Sequence, residues 1–260
     1  MDDSSTSDPM TMSKKFLFAD LDDTLFQSRR KCPEGVPLAP AAYLKDGSAH
    51  SFLTPAQQSV LGLFLREMVV IPVTARNSDA YNRVRLGFEN SAVVNYGGVI
   101  LNRDGSPELE WLERSRVLAA ASLPFLEAIK ETIISWAAAT NAAVRVRIIE
   151  DFGVPFYVCA KSAEDDERVL DSIEMMARAH WAESDAAVAI HRNGNNFSVL
   201  PHWLDKRHAV EFLVKRLRGV HGEIVTFGMG DSISDIGFMN ICDYALIPNA
   251  SQINRRLGEV

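Results

Sequence analysis

The stretch Lys14-Lys15-Phe16-Leu17-Phe18-Ala19-Asp20-Leu21-Asp22-Asp23-Thr24 decides how the rest of the chain is read. Two lysines lead into an apolar run that stops abruptly at an acid. A short, continuously apolar run of this kind predicts a parallel strand buried on both faces, with polar residues at its carboxyl end. On extended backbone, residues two apart project to one side, so Asp20 and Asp22 are expected to face a common site. Carboxylates crowded at the end of an apolar strand repel one another and lose solvation unless a cation is present. Magnesium meets that need, being a hard cation that takes carboxylate oxygens and keeps several waters. Alone, the cluster also fits a solvated acidic turn.

Working outward, a helical pattern over residues 55–67 leads into a second apolar run, 68–73, that ends in Thr74. A helix over 78–86 and a strand over 92–95 follow. Toward the other end, residues 206–218 read as a helix and 224–227 as a strand running into Gly228-Met229-Gly230-Asp231. A short helix over 233–239 and a last strand over 244–247 complete the pattern. This alternation predicts an α/β fold with a doubly wound parallel sheet, whose ligand site lies beyond the carboxyl ends of the strands. Asp20, Thr74 and Asp231 all stand at such ends. Asp235 lies one helical turn beyond Asp231. Lys206 opens a helix, where the dipole disfavours a cation unless an anion balances it.

The middle of the chain follows another rule. After a turn at Asn102-Arg103-Asp104-Gly105, a helical pattern covers 118–140, and β-branched runs at 144–149 and 154–160 flank Asp151-Phe152-Gly153. A second helical pattern, 164–183, precedes short strands at 187–191 and 196–200 that turn at Asn193-Gly194. That order predicts an antiparallel sheet with two helices on one face, an α+β domain inserted into the core. The expected division is a core of residues 14–101 and 197–260, an insert of 102–196, and a disordered lead-in, 1–13, without the pattern of a signal peptide. Residues 27–54 are long for a plain connection, with a hairpin expected over 41–52 at Asp46-Gly47.

A formal net charge of −7 over 260 residues disfavours nucleic acid and anionic membranes as partners. No apolar run is long enough to span a bilayer. Cys32, Cys159 and Cys242 are too scattered for a zinc site or a disulfide framework, which fits a reduced, cytoplasmic setting.

Taken together, Asp20-x-Asp22-x-Thr24, Thr74, Lys206 and Gly230-Asp231-x-x-x-Asp235 resemble the four motifs of the haloacid dehalogenase (HAD) superfamily. The insert resembles that superfamily's C2 type of cap. Asn95-Tyr96-Gly97-Gly98 and Pro248-Asn249-Ala250 resemble segments of its Cof-like and sucrose-phosphatase-like branches. The resemblance implies a magnesium-dependent phosphatase with Asp20 as nucleophile and Asp22 as general acid and base. Thr74 and Lys206 would hold the phosphoryl oxygens. Magnesium would be held by the Asp20 and Asp231 side chains and the Asp22 carbonyl, with Asp235 orienting its waters or Lys206. Asp23 and Ser234 depart from the commonest residues at their positions without removing a required group.

The expected substrate is a small phosphorylated metabolite, a sugar phosphate best of all. Candidate contacts are Thr24, Arg76, Asn77, Asn249, and the pair Arg145 and Arg147 on one strand face, with Lys161 and residues 191–196 beside them. The arginine pair also fits a solvent-facing strand. His191 and His202 read as surface or packing residues in preference to metal ligands, and Arg29, Arg30 and Lys31 as a solvated run or an entrance. Two rival readings stand beside the phosphatase: a phosphosugar mutase of the phosphomannomutase type, to which FSVLPHWLDKR (197–207) has some likeness, and a non-catalytic phosphometabolite sensor.

Overall fold

The apolar run before Asp20 forms β1 (Lys14–Ala19) in a computed structural model that describes residues 13–163, 166–182 and 188–258. An antiparallel appendage follows, made of β2 (Gln27–Ser28), β3 (Ala39–Tyr43) and β4 (Ala49–Leu53), and then α1 (Pro55–Glu67) and β5 (Val69–Pro72). After α2 (Ser78–Tyr81), the hairpin of β6 (Ala92–Val94) and β7 (Val99–Leu101) leads to the long α3 (Leu109–Thr140). β8 (Val144–Asp151), β9 (Val154–Ser162), α4 (Glu167–Ala177), β10 (Val188–Asn193) and β11 (Asn196–Pro201) come next. The chain ends with α5 (Lys206–His221), β12 (Ile224–Met229), α6 (Ile236–Met239), β13 (Tyr244–Leu246) and α7 (Gln252–Leu257).

The first sheet has the order β13-β12-β1-β5 and is parallel throughout, as the alternating pattern predicts. A parallel bridge from Val73 to Val93 extends it toward β6. Phe16 and Phe18 enter a cluster with Val210, Leu213 and Val214 of α5, while Leu17 and Ala19 meet Leu61 and Phe64 of α1 on the other face. Burial on both faces is why β1 reads as an unbroken apolar run. Since β1 lies between β12 and β5, its carboxyl end opens on the crevice where neighbouring connections diverge.

The second sheet is antiparallel with the order β10-β11-β9-β8. Val158, Ala160, Phe197 and Val199 cover one face and pack against Leu126, Ile129 and Ile133 of α3 and Leu170 and Ile173 of α4. Its other face carries Arg147, Cys159, Ser198 and His191 in a single row across the strands.

Several expectations shift. The helix expected over 78–86 stops at Tyr81, because residues 83–85 instead pair along β3, with Arg85 N–H donating to the Ala41 carbonyl. α3 begins at Leu109 instead of near Leu118, nucleated by Glu108, whose carboxylate accepts from Trp111 N–H at 2.6 Å. A boundary at 197 falls inside β11, all of which belongs to the second sheet. Residues 1–12, 164–165 and 183–187 of the expected lead-in, helix and strand lie outside the described residues. The cysteines are unpaired, and no helix among the described residues is long and apolar enough to cross a membrane.

Candidate active site

Asp20 is the first residue past β1, and its N–H still bonds the Met229 carbonyl at 2.8 Å, which fixes it beside the end of β12. Its Oδ1 accepts from Lys206 Nζ at 2.7 Å, and the same ammonium donates to Asp235 Oδ1 at 2.7 Å. Asp235 is locked in turn by the Ser232 N–H and hydroxyl on its Oδ2, at 3.0 and 2.7 Å. The Thr24 hydroxyl sits 3.0 Å from Asp20 Oδ2 and 3.2 Å from Asp231 Oδ1. One hydroxyl carries one proton, so it serves only one of these carboxylates at a time.

Two glycines let these groups meet. A Cβ on Gly97, at φ +97°, would lie 2.4 Å from the Asp205 carbonyl oxygen, so only glycine lets the start of α5 come this close. A Cβ on Gly230 would lie 2.4 Å from that of Asp235. Asp205 caps α5 by accepting from Arg207 N–H at 2.8 Å, which leaves Lys206 free to turn inward.

Asp20, Lys206 and Asp235 are buried. Oxygens of Asp20, Asp231 and Asp235 lie within 4.8 Å of one another. Three carboxylates facing one ammonium leave two negative charges uncompensated, and an all-oxygen donor set of this kind could hold a hard divalent cation. The titration tendencies agree. Burial pushes the Asp20 carboxyl up to about 8, against the opposing pull of Lys206 and with a further push from Asp235 and Asp22. Burial, with Asp235 and Asp23 beside it, raises Asp231 to about 6. Burial works against the charge of Lys206, but Asp20 and Asp235 outweigh it and hold its pKa above the ordinary value.

Asp22 stands near enough to act on Asp20, yet its side chain turns to Arg76, which grips it through Nε at 2.8 Å and Nη2 at 2.7 Å. Asp22 therefore lies outside the carboxylate cluster, and Arg76 faces an acid of the chain itself. The Arg76 guanidinium also covers the Phe26 ring at 5.2 Å. Asp23 adopts φ 64°, a left-handed conformation that Asp tolerates, and pairs with Lys31.

Thr74 is buried at the end of β5. Its amide is not open to a ligand, because it donates to the Val93 carbonyl at 2.8 Å. Its hydroxyl oxygen accepts from Arg76 N–H at 3.2 Å, leaving the hydroxyl proton to donate. Asn77 caps α2 through Ala80 N–H at 3.0 Å. Thr24 serves the carboxylates, as described. Asn249 is exposed before α7, where its carbonyl accepts from Asn254, and Arg145 and Arg147 are exposed on β8.

His191, one of the candidate contacts 191–196, lines a cavity of about 120 Å³ with Tyr96, Lys206 and Ser234; the parts played by Tyr96 and Asp151 have no signal in the sequence. Burial and then the Lys206 charge depress the pKa of His191. Tyr96 reaches over the second sheet, 5.2 Å from the rings of both Tyr157 and His191. Asp151, at the tip of β8, accepts from the Ser78 amide and hydroxyl at 2.7 and 2.6 Å and from Asn95 Nδ2 at 2.7 Å, tying the two sheets together.

No family model matches the chain, and no curated protein matches it. Solved structures do. It is similar to the sucrose-phosphatase of Synechocystis sp. PCC6803 in complex with sucrose and phosphate (16% identity, TM-score 0.52, 95% of this chain and 88% of that one). It is similar to IMP-bound IMP-nucleotidase of Plasmodium falciparum (13% identity, TM-score 0.55, covering 94% and 67%). The C-terminal domain of C. albicans trehalose-6-phosphate phosphatase gives 11% identity and a TM-score of 0.50, covering 88% and 74%. At such identities the likeness is one of fold.

Proposed function

We propose that this chain, which shares the fold of those phosphatases and resembles the haloacid dehalogenase superfamily in its four motifs, is a magnesium-dependent phosphatase of a small phosphorylated metabolite, of the sugar-phosphate class. One observation carries the reading: Lys206 joins Asp20 and Asp235 at 2.7 Å each, at the carboxyl ends of parallel strands. Three residues far apart in sequence thus converge as phosphoryl transfer requires, by position and charge. The sugar-phosphate class is favoured by the names of two of the three structures above. A cavity of about 120 Å³ over Lys206 favours a small leaving group.

In this reading an Asp20 oxygen attacks phosphorus, and the bond from phosphorus to the leaving oxygen breaks. Lys206 steadies the attacking carboxylate and the charge on the phosphoryl oxygens, and the Thr74 hydroxyl donates to one of them. Asp22 protonates the departing alkoxide, then takes a proton from the water that attacks the aspartyl phosphate and releases phosphate from Asp20. Arg76 holds Asp22 in place between these transfers. Magnesium, held by Asp20, Asp231 and the Asp22 carbonyl with Asp235 behind them, would neutralise charge on the phosphate.

The test is phosphate release from a panel of phosphorylated metabolites, with magnesium and with chelator, beside the Asp20→Asn variant. Release that needs both the metal and Asp20 supports the reading. Full activity in Asp20→Asn, or activity indifferent to chelator, sinks it. Isomerisation of a sugar phosphate that depends on a sugar bisphosphate would make the chain a mutase, and binding without turnover would make it a sensor.

A further inference from the structure

The sheet face opposite α3 and α4 carries an excess of positive charge. Arg147 stands in the row that runs through Cys159 and Ser198 to His191, and Arg145 stands directly opposite Lys161 on the neighbouring strand. Residues two apart on a strand share a face, so Arg145, Arg147 and Lys161 form one patch around Cys159. The Cys159 thiol senses it: burial raises its pKa, while Lys161, Arg147 and Arg145 each pull it down.

Like charges placed directly opposite one another destabilise a sheet. The chain has acids to spare, with a net charge of −7, yet none of these three cations has a carboxylate partner among the described residues. The helix-covered face is treated differently. There Arg192 is neutralised by Asp171 at 3.1 Å and approached by Glu174 at 3.9 Å. The open face is also the one turned to the catalytic groups, since His191 lines the cavity that Lys206 lines, and Tyr96 spans from the first sheet to Tyr157 on β9. Neighbouring strands lie ~4.8 Å apart, so the β8 cations stand about 14 Å from His191 across the sheet. A guanidinium reaching back along that face leaves room for a metabolite of sugar size.

We propose that Arg145, Arg147 and Lys161 form a subsite for a second anionic group, a carboxylate or a phosphate, on the leaving group of the substrate. This rests on the phosphatase reading of Asp20, and it narrows the substrate from any small phosphoester to one charged at both ends. Ser198 and Tyr96 lie between the two charged ends, where they meet the uncharged middle of such a molecule.

The experiment compares 6-phosphogluconate and glucose 1,6-bisphosphate with glucose 6-phosphate. kcat/KM is measured for the parent and for the double variant Arg145→Gln/Arg147→Gln, and dissociation constants are measured by calorimetry on Asp20→Asn with and without the same changes. A charge-assisted hydrogen bond at an open site corresponds to about a tenfold preference for the doubly anionic compounds in the parent. The double variant loses that preference through KM. Which of the two compounds gains identifies carboxylate or phosphate. Equal kcat/KM and equal affinity for all three in the parent overturns the subsite, as does a double variant that loses equally on all three. Absence of turnover on every compound would count against the phosphatase reading, and the calorimetric comparison would then decide the subsite alone. Without ligand, the double variant should melt no lower than the parent, since a repulsion has been relieved. A lower melting temperature would mark the arginines as structural and overturn the proposal.

Discussion

Replacing Lys206 by methionine keeps most of the apolar stem and removes the ammonium that bonds the buried acids. That ammonium holds Asp20 and Asp235 through two contacts of 2.7 Å, in a site almost closed to water. Leaving buried charges without their partner costs about 3–5 kcal/mol. For a chain of this size that is a fall in melting temperature on the order of 10 °C. The sign of the pH dependence follows from burial. Asp20 already titrates near 8 against an ordinary 3.8, and losing Lys206 removes a force that lowers it. A carboxyl raised in the fold lets the native state bind more protons than the unfolded chain, so stability falls as pH rises through that window. The deficit of Lys206→Met should therefore be small at about pH 5, where Asp20 is protonated with or without the ammonium, and largest at about pH 8. Thermal unfolding of the metal-free proteins at both values measures it, and phosphate release should drop by about a thousandfold. A variant that melts with the parent at pH 8, or falls equally at both values, refutes the dependence of the Asp20 charge on Lys206.

Magnesium should raise the melting temperature of the parent more at about pH 8 than at about pH 5, because Asp20 and Asp231, raised to about 8 and about 6, must shed protons to bind it. Melting curves with and without the metal check this, and Asp231→Asn should abolish the increment. Gly97→Ala should cost about 2 kcal/mol or more and reduce turnover, as its Cβ strikes the backbone from which Lys206 springs. Gly105→Ala, also at positive φ but with nothing within 4 Å, should melt at a higher temperature than Gly97→Ala. Arg76→Lys keeps the charge but loses the two-point grip on Asp22, and phosphate release should fall by about tenfold or more at unchanged melting temperature.

Much of the fold was legible because its signals are local. The apolar run before Asp20, the helical pattern over 55–67 and the Asp46-Gly47 turn each announce themselves within a few residues. The cluster of Asp20, Lys206, Asp231 and Asp235 was legible for another reason: strand ends in a parallel sheet converge whatever their distance along the chain. What stayed hidden depends on partners that no spacing reveals. Arg76 resembles a substrate contact until Asp22 is found in front of it. Residues 83–85 continue a helical pattern, but an open edge of β3 offers them better bonds.

The long helix α3 has a mechanical consequence. Its first turns belong to the first sheet, where Trp111 Nε1 donates to the Gly97 carbonyl and Ser115 to that of Gly98. Its later turns, with Leu126, Ile129 and Ile133, belong to the second. Pro124 stands between these stretches, at a point where a helix loses one of its own hydrogen bonds. If the sheets part to admit a ligand, α3 acts as a lever fixed at both ends, and it yields most readily at that proline. Any such joint would lie inside a helix, at the one turn where proline removes a bond from a stiff rod.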